Sequence, residues 1–400
     1  MKIIADFHIH SKYSRATSPK MDLEHIFESA KEKGITIVGT GDFTHPEWFN
    51  NLKNKLEPAE KGLYKLKGTD GSVRFIITGE ISNMYKRHGK GRRIHSLIIL
   101  PSLESAEKIN NILSLQGNIK SDGRPILGMD TEELLKIIID VAPKALFIPA
   151  HCMAPWFGVF GSMSGFDSLE EAFGKNAKHI YAMETGLSAD PRMIGRIPDG
   201  RKMTLISNSD AHSPIKLGRE VNVFDTKLSY SAIRNAIIKK DKSKFLNTIE
   251  FFPQEGKYYY DGHRSCDVSM SPKQRKKVKG ICPKCGRKLT VGVLSRVDEL
   301  ADRKDGFVPS GAIPYKSLVP LKEIIAEAIG IGPKTKGVEK QYQTLIQKFS
   351  NEFNILLDVP FEELSKFTLP KIAEGIKRVR SGKLIIEPGY DGKYGKVKIF

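Results

Sequence analysis

Short apolar runs rich in β-branched residues recur through residues 1–255, and most of them close on a histidine, an aspartate or a glutamate. The runs are IIAD (3–6), ITIVGTGD (35–42), RFIITGE (74–80), RIHSLIIL (93–100), ALFIPAH (145–151), IYAMET (180–185) and MTLISNSDAH (203–212). Runs this short and this uniformly apolar fit strands buried on both faces. Helical patterns lie between several of them. DLEHIFESAKEKG (22–34) has an Asp near its start and a closing Gly, TEELLKIIIDVA (131–142) opens on Thr131 two residues before Glu133, and SYSAIRNAIIKK (229–240) is a third. The alternation predicts an α/β fold with a parallel sheet or barrel.

The pattern changes at EFFPQEGKYYYDGHRSC (250–266), which is aromatic and carries the first of three closely placed cysteines. From about residue 319 it is helical with short breaks, and LIIEPGYDGKYGKVKIF at the end predicts a hairpin with Asp391-Gly392 at or near its turn. The expected domains are therefore a barrel over 1–255, a small metal-binding module over 256–300 and a helical domain over 301–400 that ends in the hairpin. A chain of 400 residues is long enough for two or three such cores.

Composition narrows the class. At 40% hydrophobic residues the chain is too apolar to be disordered, and no apolar run reaches the ~18 residues of a membrane helix. MKIIADFHIH reads as a strand, not a signal peptide, and four cysteines form no disulfide framework, so the expected setting is reducing and cytoplasmic. The net charge of +18 is uneven: 36 basic against 30 acidic residues in 1–255 give +6, and 28 against 16 in 256–400 give +12. A lysine-rich surface accounts for such an excess, and so does a polyanion partner.

Six of the ten histidines belong to or closely follow the apolar runs (His8, His10, His45, His95, His151, His212), as do Asp42, Glu80, Glu184 and Asp210. In a β/α barrel the strand ends converge on one mouth, so residues far apart in sequence meet there. Any one of them could be a capping Asp or a core His; seven runs together point to a multinuclear metal site. His8-x-His10 and Asp210-x-His212 each place two ligands on one side of a strand end. Carboxylates such as Glu80 or Asp210 can bridge two ions, and mixed His/carboxylate ligation suits Zn, Mn, Fe or Ni. The expected reaction is hydrolysis of a phosphoester, with Asp210, Glu80 and His212 as the catalytic groups.

A second metal signal is His263-x-x-Cys266, fifteen residues, then Cys282-x-x-Cys285, the two knuckles of a closed Cys3His site holding one structural Zn. The buried-looking Cys152 stands apart from it. Between and beyond the knuckles, residues 272–288 carry eight Lys/Arg and no acid. Lys273, Arg275, Lys276 and Lys277, with Tyr258, Tyr259, Tyr260 and Arg264, are candidate DNA contacts, since aromatic faces beside cations suit base stacking. Arg87, Lys90, Arg92 and Arg93, in a presumed basic loop KRHGKGRR (86–93), are further candidates.

DFHIHSKYS (6–14), TGD (40–42), GE (79–80), the His95 run, PAH (149–151) and NSDAH (208–212) resemble the polymerase and histidinol phosphatase (PHP) superfamily. That resemblance implies a distorted (β/α)7 barrel with two or three divalent ions (Zn, Mn, Fe or Mg). His8, His10, Glu80 and Asp210 would hold one ion, Glu80, His95 and His151 a second, and His212 with the Asp42 loop a third, with His45 and Glu184 nearby. The sequence departs from the superfamily at Ala16 and Phe43, where it often has histidines. With the HxxC…CxxC insertion, LTVGVLSRVDELADR (289–303) and GYDGKYGKVKIF (389–400), the whole order is similar to the endonuclease Q family, DNA-repair nucleases known mainly from archaea. This implies cleavage 5′ to uracil, hypoxanthine, xanthine or an abasic site, leaving 3′-OH and 5′-phosphate, in damaged double- or single-stranded DNA. A small-molecule phosphoesterase on the same barrel and an inactive DNA-binding barrel are the alternatives. GIGPKT (330–335) resembles a helix-hairpin-helix turn. Gln343-x-x-Ile346-x-x-Phe349, within an amphipathic helical run, loosely matches a sliding-clamp box; the clamp is a candidate partner, and no membrane contact is expected.

The loop PWFGVFGSMSG (155–165) is an expected wall of the base pocket, or simply a packed barrel loop.

Overall fold

The structure, a computed structural model, describes residues 1–400. Seven strands form the barrel wall: β1 (Lys2–Asp6), β2 (Ile37–Gly39), β3 (Arg74–Arg87), β4 (Lys90–Leu100), β5 (Leu146–Pro149), β6 (Ala182–Glu184) and β7 (Thr204–Ile206). Strands β1, β2 and β3 pair in parallel, β4 runs antiparallel to both β3 and β5, and β6 and β7 are parallel. The Cys152 N–H donates to Glu184 O (2.9 Å) between β5 and β6, and the His10 N–H donates to Ala211 O (3.0 Å) where β7 meets β1. One reversed strand among seven is the distortion in this (β/α)7 barrel.

Beyond β1 the sheet continues into β8 (Val221–Asp225), β9 (Phe245–Glu250) and β10 (Tyr315–Ser317). Alternate strand residues enter two cores on opposite faces of the sheet. Ile3, Ala5, Ile76, Leu97 and Ile148 belong to a cluster of 20 residues, while Ile4, Phe75, Ile77 and Ile98 join a cluster of 78.

Local chemistry fixes the helices. Asp22 caps Leu23–Lys33 by accepting from the His25 N–H, and Gly34 closes it at φ +83°. Thr131 is the first residue of Thr131–Val141 and not its cap, which is Asp130. Ser229 caps Tyr230–Ile238.

KRHGKGRR (86–93) is not a loop. Strands β3 and β4 form one long hairpin of eleven residue pairs that turns on His88-Gly89, both at positive φ. Basic residues at the tip are what a hairpin needs where it leaves the barrel for solvent, so the composition imitates a loop. In consequence Glu80 and His95 sit within strands, not at their ends.

The Cys3His segment is a two-stranded ribbon, Asp261–His263 with Val268–Met270, followed by the helices Pro272–Lys277 and Val293–Leu300. The terminal hairpin, Ile385–Glu387 with Lys396–Lys398, folds back on it: Asp391 accepts from the Arg264 N–H (2.5 Å) and from Thr290 Oγ1 (2.6 Å). Five helices lie between, Leu321–Ile329, Lys336–Phe349, Glu352–Leu357, Phe361–Phe367 and Pro370–Ser381. They share the 78-residue core with the barrel through Ile324, Leu345 and Ile376. No helix is long and apolar enough to cross a membrane.

Candidate metal centre at the barrel mouth

Two ligand groups meet on one carboxylate. His8, His10, Glu80 and Asp210 form the first, and Glu80, His95 and His151 the second. Glu80 Oε2 lies 3.6 Å from His8 Nε2 and 3.3 Å from His10 Nε2, and Asp210 Oδ1 is 3.1 Å from His10 Nε2. Glu80 Oε1 faces the other way, 2.8 Å from His95 Nδ1 and 2.9 Å from His151 Nε2. All of these side chains are buried except Asp210 and His151, which are partly open to the mouth.

The residues fit divalent ions. His8 Nε2, His10 Nε2 and Asp210 Oδ1 are buried and make no hydrogen bond, although all three face one point. Orphaned atoms of this kind are costly unless something binds them. Burial disfavours a charged imidazole, but Glu184, Glu80 and Asp210 around His8, and Asp42 with Asp210 and Glu80 around His10, hold both rings protonated well above the usual histidine range. A site that must borrow protons to balance its carboxylates is short of positive charge, and a metal ion replaces those protons. Burial also works against the Glu80 carboxylate, yet His95, Arg124 and His8 hold its pKa well below the usual range.

Asp42 and Glu184 stand behind the ligands. Asp42 Oδ1 accepts from His10 Nδ1 (3.0 Å), and Oδ2 takes the Ser11 N–H (2.6 Å) and the Ser14 hydroxyl (2.8 Å). Glu184 accepts from His8 Nδ1 (3.0 Å) and from the His151 N–H (2.8 Å). Each fixes the tautomer that turns Nε2 toward the centre. His45 stacks on Tyr13 at 4.5 Å, and His212 packs on His10 at 4.4 Å with Nδ1 against Asp210 O (2.9 Å). The structure does not bring Asp42, His45 and His212 into a third ligand group.

Asp42, His151 and Asp210 all have positive φ (+48°, +30° and +47°), a conformation that costs a non-glycine residue roughly 1–3 kcal/mol and concentrates at working sites. Gly123 leaves room beside Asp42: a Cβ there would overlap Asp42 Oδ2 and Ser14 Oγ.

One residue here is invisible in the sequence pattern. Arg124 Nη1 lies 3.0 Å from Glu80 Oε2, with the guanidinium partly open to the mouth. It comes from the polar loop SDGRP, which has neither periodicity nor motif to mark it. Phe157, from the loop 155–165, packs tilted against His95 with ring centres 4.2 Å apart, so that loop borders the centre.

The second site also assembles. His263, Cys266, Cys282 and Cys285 form a four-ligand group, with His263 Nδ1 3.3 Å from Cys285 Sγ. Burial raises the Cys282 thiol, but the Lys284 and Cys285 N–H groups and His263 outweigh it and bring the pKa down to about 6, toward the thiolate a metal needs.

The basic residues divide. Lys90, Arg93, Arg264, Lys273, Lys276 and Lys277 are exposed. Arg87 is tied to Asp130 and Glu132, and Arg92 is buried on Phe166 (3.9 Å) and bonded to Gly165 O, so both brace the barrel. Tyr259 is buried and Arg275 faces Asp261 and Glu299. The presumed clamp box is spent inside the molecule: Gln343 donates to Glu32 and Glu339 (3.0 Å each), Ile346 is buried and Phe349 packs on Phe367.

A family described as the MJ0043 C-terminal domain matches residues 320–383. The chain is 34% identical to the lesion-specific endonuclease PfuEndoQ from Pyrococcus furiosus, whose crystal structure superposes with a TM-score of 0.88 over 100% of this chain and 95% of that one. A structure of endonuclease Q with a 27-mer duplex substrate carrying an abasic lesion at the active site matches at TM-score 0.87 and 35% identity, over 100% and 97%. The chain belongs to the endonuclease Q family. The uncharacterized protein YqxK of Bacillus subtilis is 30% identical over 99% of both chains. The uncharacterized protein MJ0043 of Methanocaldococcus jannaschii is 37% identical over 255 residues, 62% of this chain but 31% of that one, so the chain spans about a third of the length of that relative.

Proposed function

We propose that this protein is a metal-dependent DNA-repair endonuclease that cuts the phosphodiester 5′ to a deaminated base or an abasic site and leaves 3′-OH and 5′-phosphate. The observation that carries it is the Glu80 carboxylate, with one oxygen turned to each of two ligand groups at the barrel mouth. The two ligand groups would hold divalent cations, Zn, Mn, Fe or Mg, that polarise a phosphodiester and lower the pKa of water. Whole-chain likeness to a lesion-specific endonuclease supports DNA as the substrate.

The chain's own residues do the rest. Asp42 and Glu184 fix His10 and His8, and Asp210 is open enough to the mouth to meet the substrate as well as the ligand group. Arg124, 3.0 Å from Glu80 and partly open to the mouth, is placed to pair with a phosphate oxygen of a substrate bound there. Burial, and then His10, lower the His212 pKa, so His212 is neutral near pH 7 and suited to take a proton from the attacking water. A damaged base leaves the stack more cheaply than a paired one, which favours lesions at a buried centre.

The test is nicking of end-labelled duplexes with one uracil, hypoxanthine or abasic site, against undamaged duplex, with Mg, Mn or Zn and a chelator control. A metal-dependent cut on the 5′ side of the lesion is expected, abolished by Asp210→Ala. Hydrolysis of a small phosphomonoester without any DNA nick would favour the small-molecule phosphatase instead.

A further inference from the structure

A set of aromatic rings and one lysine lies in pairwise contact beside the metal centre. His95 of the second ligand group packs tilted against Phe157, and the preceding residue of that loop, Trp156, meets Tyr258 edge to face at 5.0 Å. Lys257 Nζ stands 5.9 Å from the Tyr258 ring centre and 5.5 Å from that of Tyr394. Tyr394, on the turn of the terminal hairpin, is 70% exposed, more than any other large aromatic side chain.

That exposure is built, not loose. The Gly392 N–H donates to Lys257 O (2.8 Å), the Gly395 N–H to Glu255 O (3.0 Å), and Asp391 is held by Arg264 and Thr290. A Cβ at Gly395 would overlap Gln254 O and Glu387 O, so the turn lies flat against residues 254–257. A fixed turn that presents a bare ring beside a cation, on the half of the chain with net charge +12, suits a ligand offering π-faces and phosphates together. Paired bases keep their faces stacked inside the duplex; unpaired ones present them.

We propose that Trp156, Tyr258, Lys257 and Tyr394 form a stacking track for unpaired nucleotides of the strand that enters or leaves the metal centre. This rests on DNA as the substrate of that centre, but it is read from binding alone.

The experiment measures anisotropy of labelled, undamaged oligonucleotides, single-stranded and duplex, with the zinc-replete protein at several salt concentrations. Tyr394→Ala and Tyr258→Ala should each weaken single-strand binding roughly tenfold and duplex binding by less than about twofold, since one base–aromatic stack is lost in each. Tyr394→Phe should bind as the unaltered protein does. Lys257→Gln should reduce the single-strand salt slope by ~0.7, the loss of one phosphate contact. Equal weakening on both forms of DNA would make the strip a general electrostatic face and overturn the track, as would unchanged single-strand binding in both alanine variants. Single-strand binding that does not depend on Tyr394 or Tyr258, with lesion nicking intact, refutes the track only; Tyr394- and Tyr258-dependent binding without nicking refutes the endonuclease reading only.

Discussion

Glu80 has one carboxylate and two sets of imidazoles facing it. Because protons occupy His8 and His10 until a cation displaces them, metal binding should release protons. Raised histidine pKa values mean that protons compete more as pH falls, so apparent metal affinity should rise from pH 6 to pH 8. Metal titration by calorimetry at both values checks this; affinity independent of pH would contradict it. Asp42→Asn replaces the carboxylate that orients His10 with a neutral amide whose NH2 must face either His10 Nδ1 or the Ser11 N–H, and should cost roughly 10–100-fold in metal affinity or in activity. Equilibrium dialysis and nicking rates test that. The ligands were legible because His and Asp residues at the ends of apolar runs are conspicuous. Arg124 was not: an arginine in a polar loop looks the same whether it faces solvent or a carboxylate. The outer position of Asp42 and Glu184 was equally hidden, since a ligand and the residue that orients a ligand share one chemistry and one stretch of chain.

The barrel strands are legible in the sequence because buried runs are short and uniformly apolar; the β3–β4 hairpin is not, because its tip is polar where it projects. The Cys3His module was legible from spacing, and its energetics follow from how little core it owns: Val268, Cys282 and Leu289 form a cluster of three. A core this small does not fold a module without a staple. Removing zinc should therefore release residues 263–290 while the barrel stays folded. Hydrogen exchange should then show fast amides in that segment and unchanged protection in β1–β7; uniform protection after chelation would count against a metal-held module. Tyr390 Oη donates to Asp267 (2.5 Å), so the terminal hairpin should loosen with it.

Across the whole molecule, the barrel and the C-terminal helices act as one body, which the sequence pattern alone does not reveal because contacts between distant helices leave no local periodicity. Glu352, buried among those helices, accepts from the Leu321 N–H (2.9 Å) and the Tyr342 hydroxyl (3.0 Å), and lies 3.6 Å from Lys33 on the first barrel helix. Glu352→Ala strands a buried lysine and should cost about 3–5 kcal/mol, with barrel and helices still melting together. Two separate transitions in calorimetry would contradict the shared core. Another buried carboxylate sets a pH dependence. Burial raises the Glu250 pKa to about 7, so its contribution favours the folded state most at low pH and fades as pH rises from about 4.5 to 7. Glu250→Gln should flatten the stability profile across that window.

One carboxylate serving two cations of a hydrolytic centre should show in metal counting by mass spectrometry on the unaltered protein and on Glu80→Gln, each also assayed for nicking of an abasic duplex. The expected result is three ions per chain, two at the barrel mouth and one at the Cys3His site, falling to one in the variant with nicking lost. A variant that keeps all its ions, or that loses them and still nicks the lesion strand, would contradict the account.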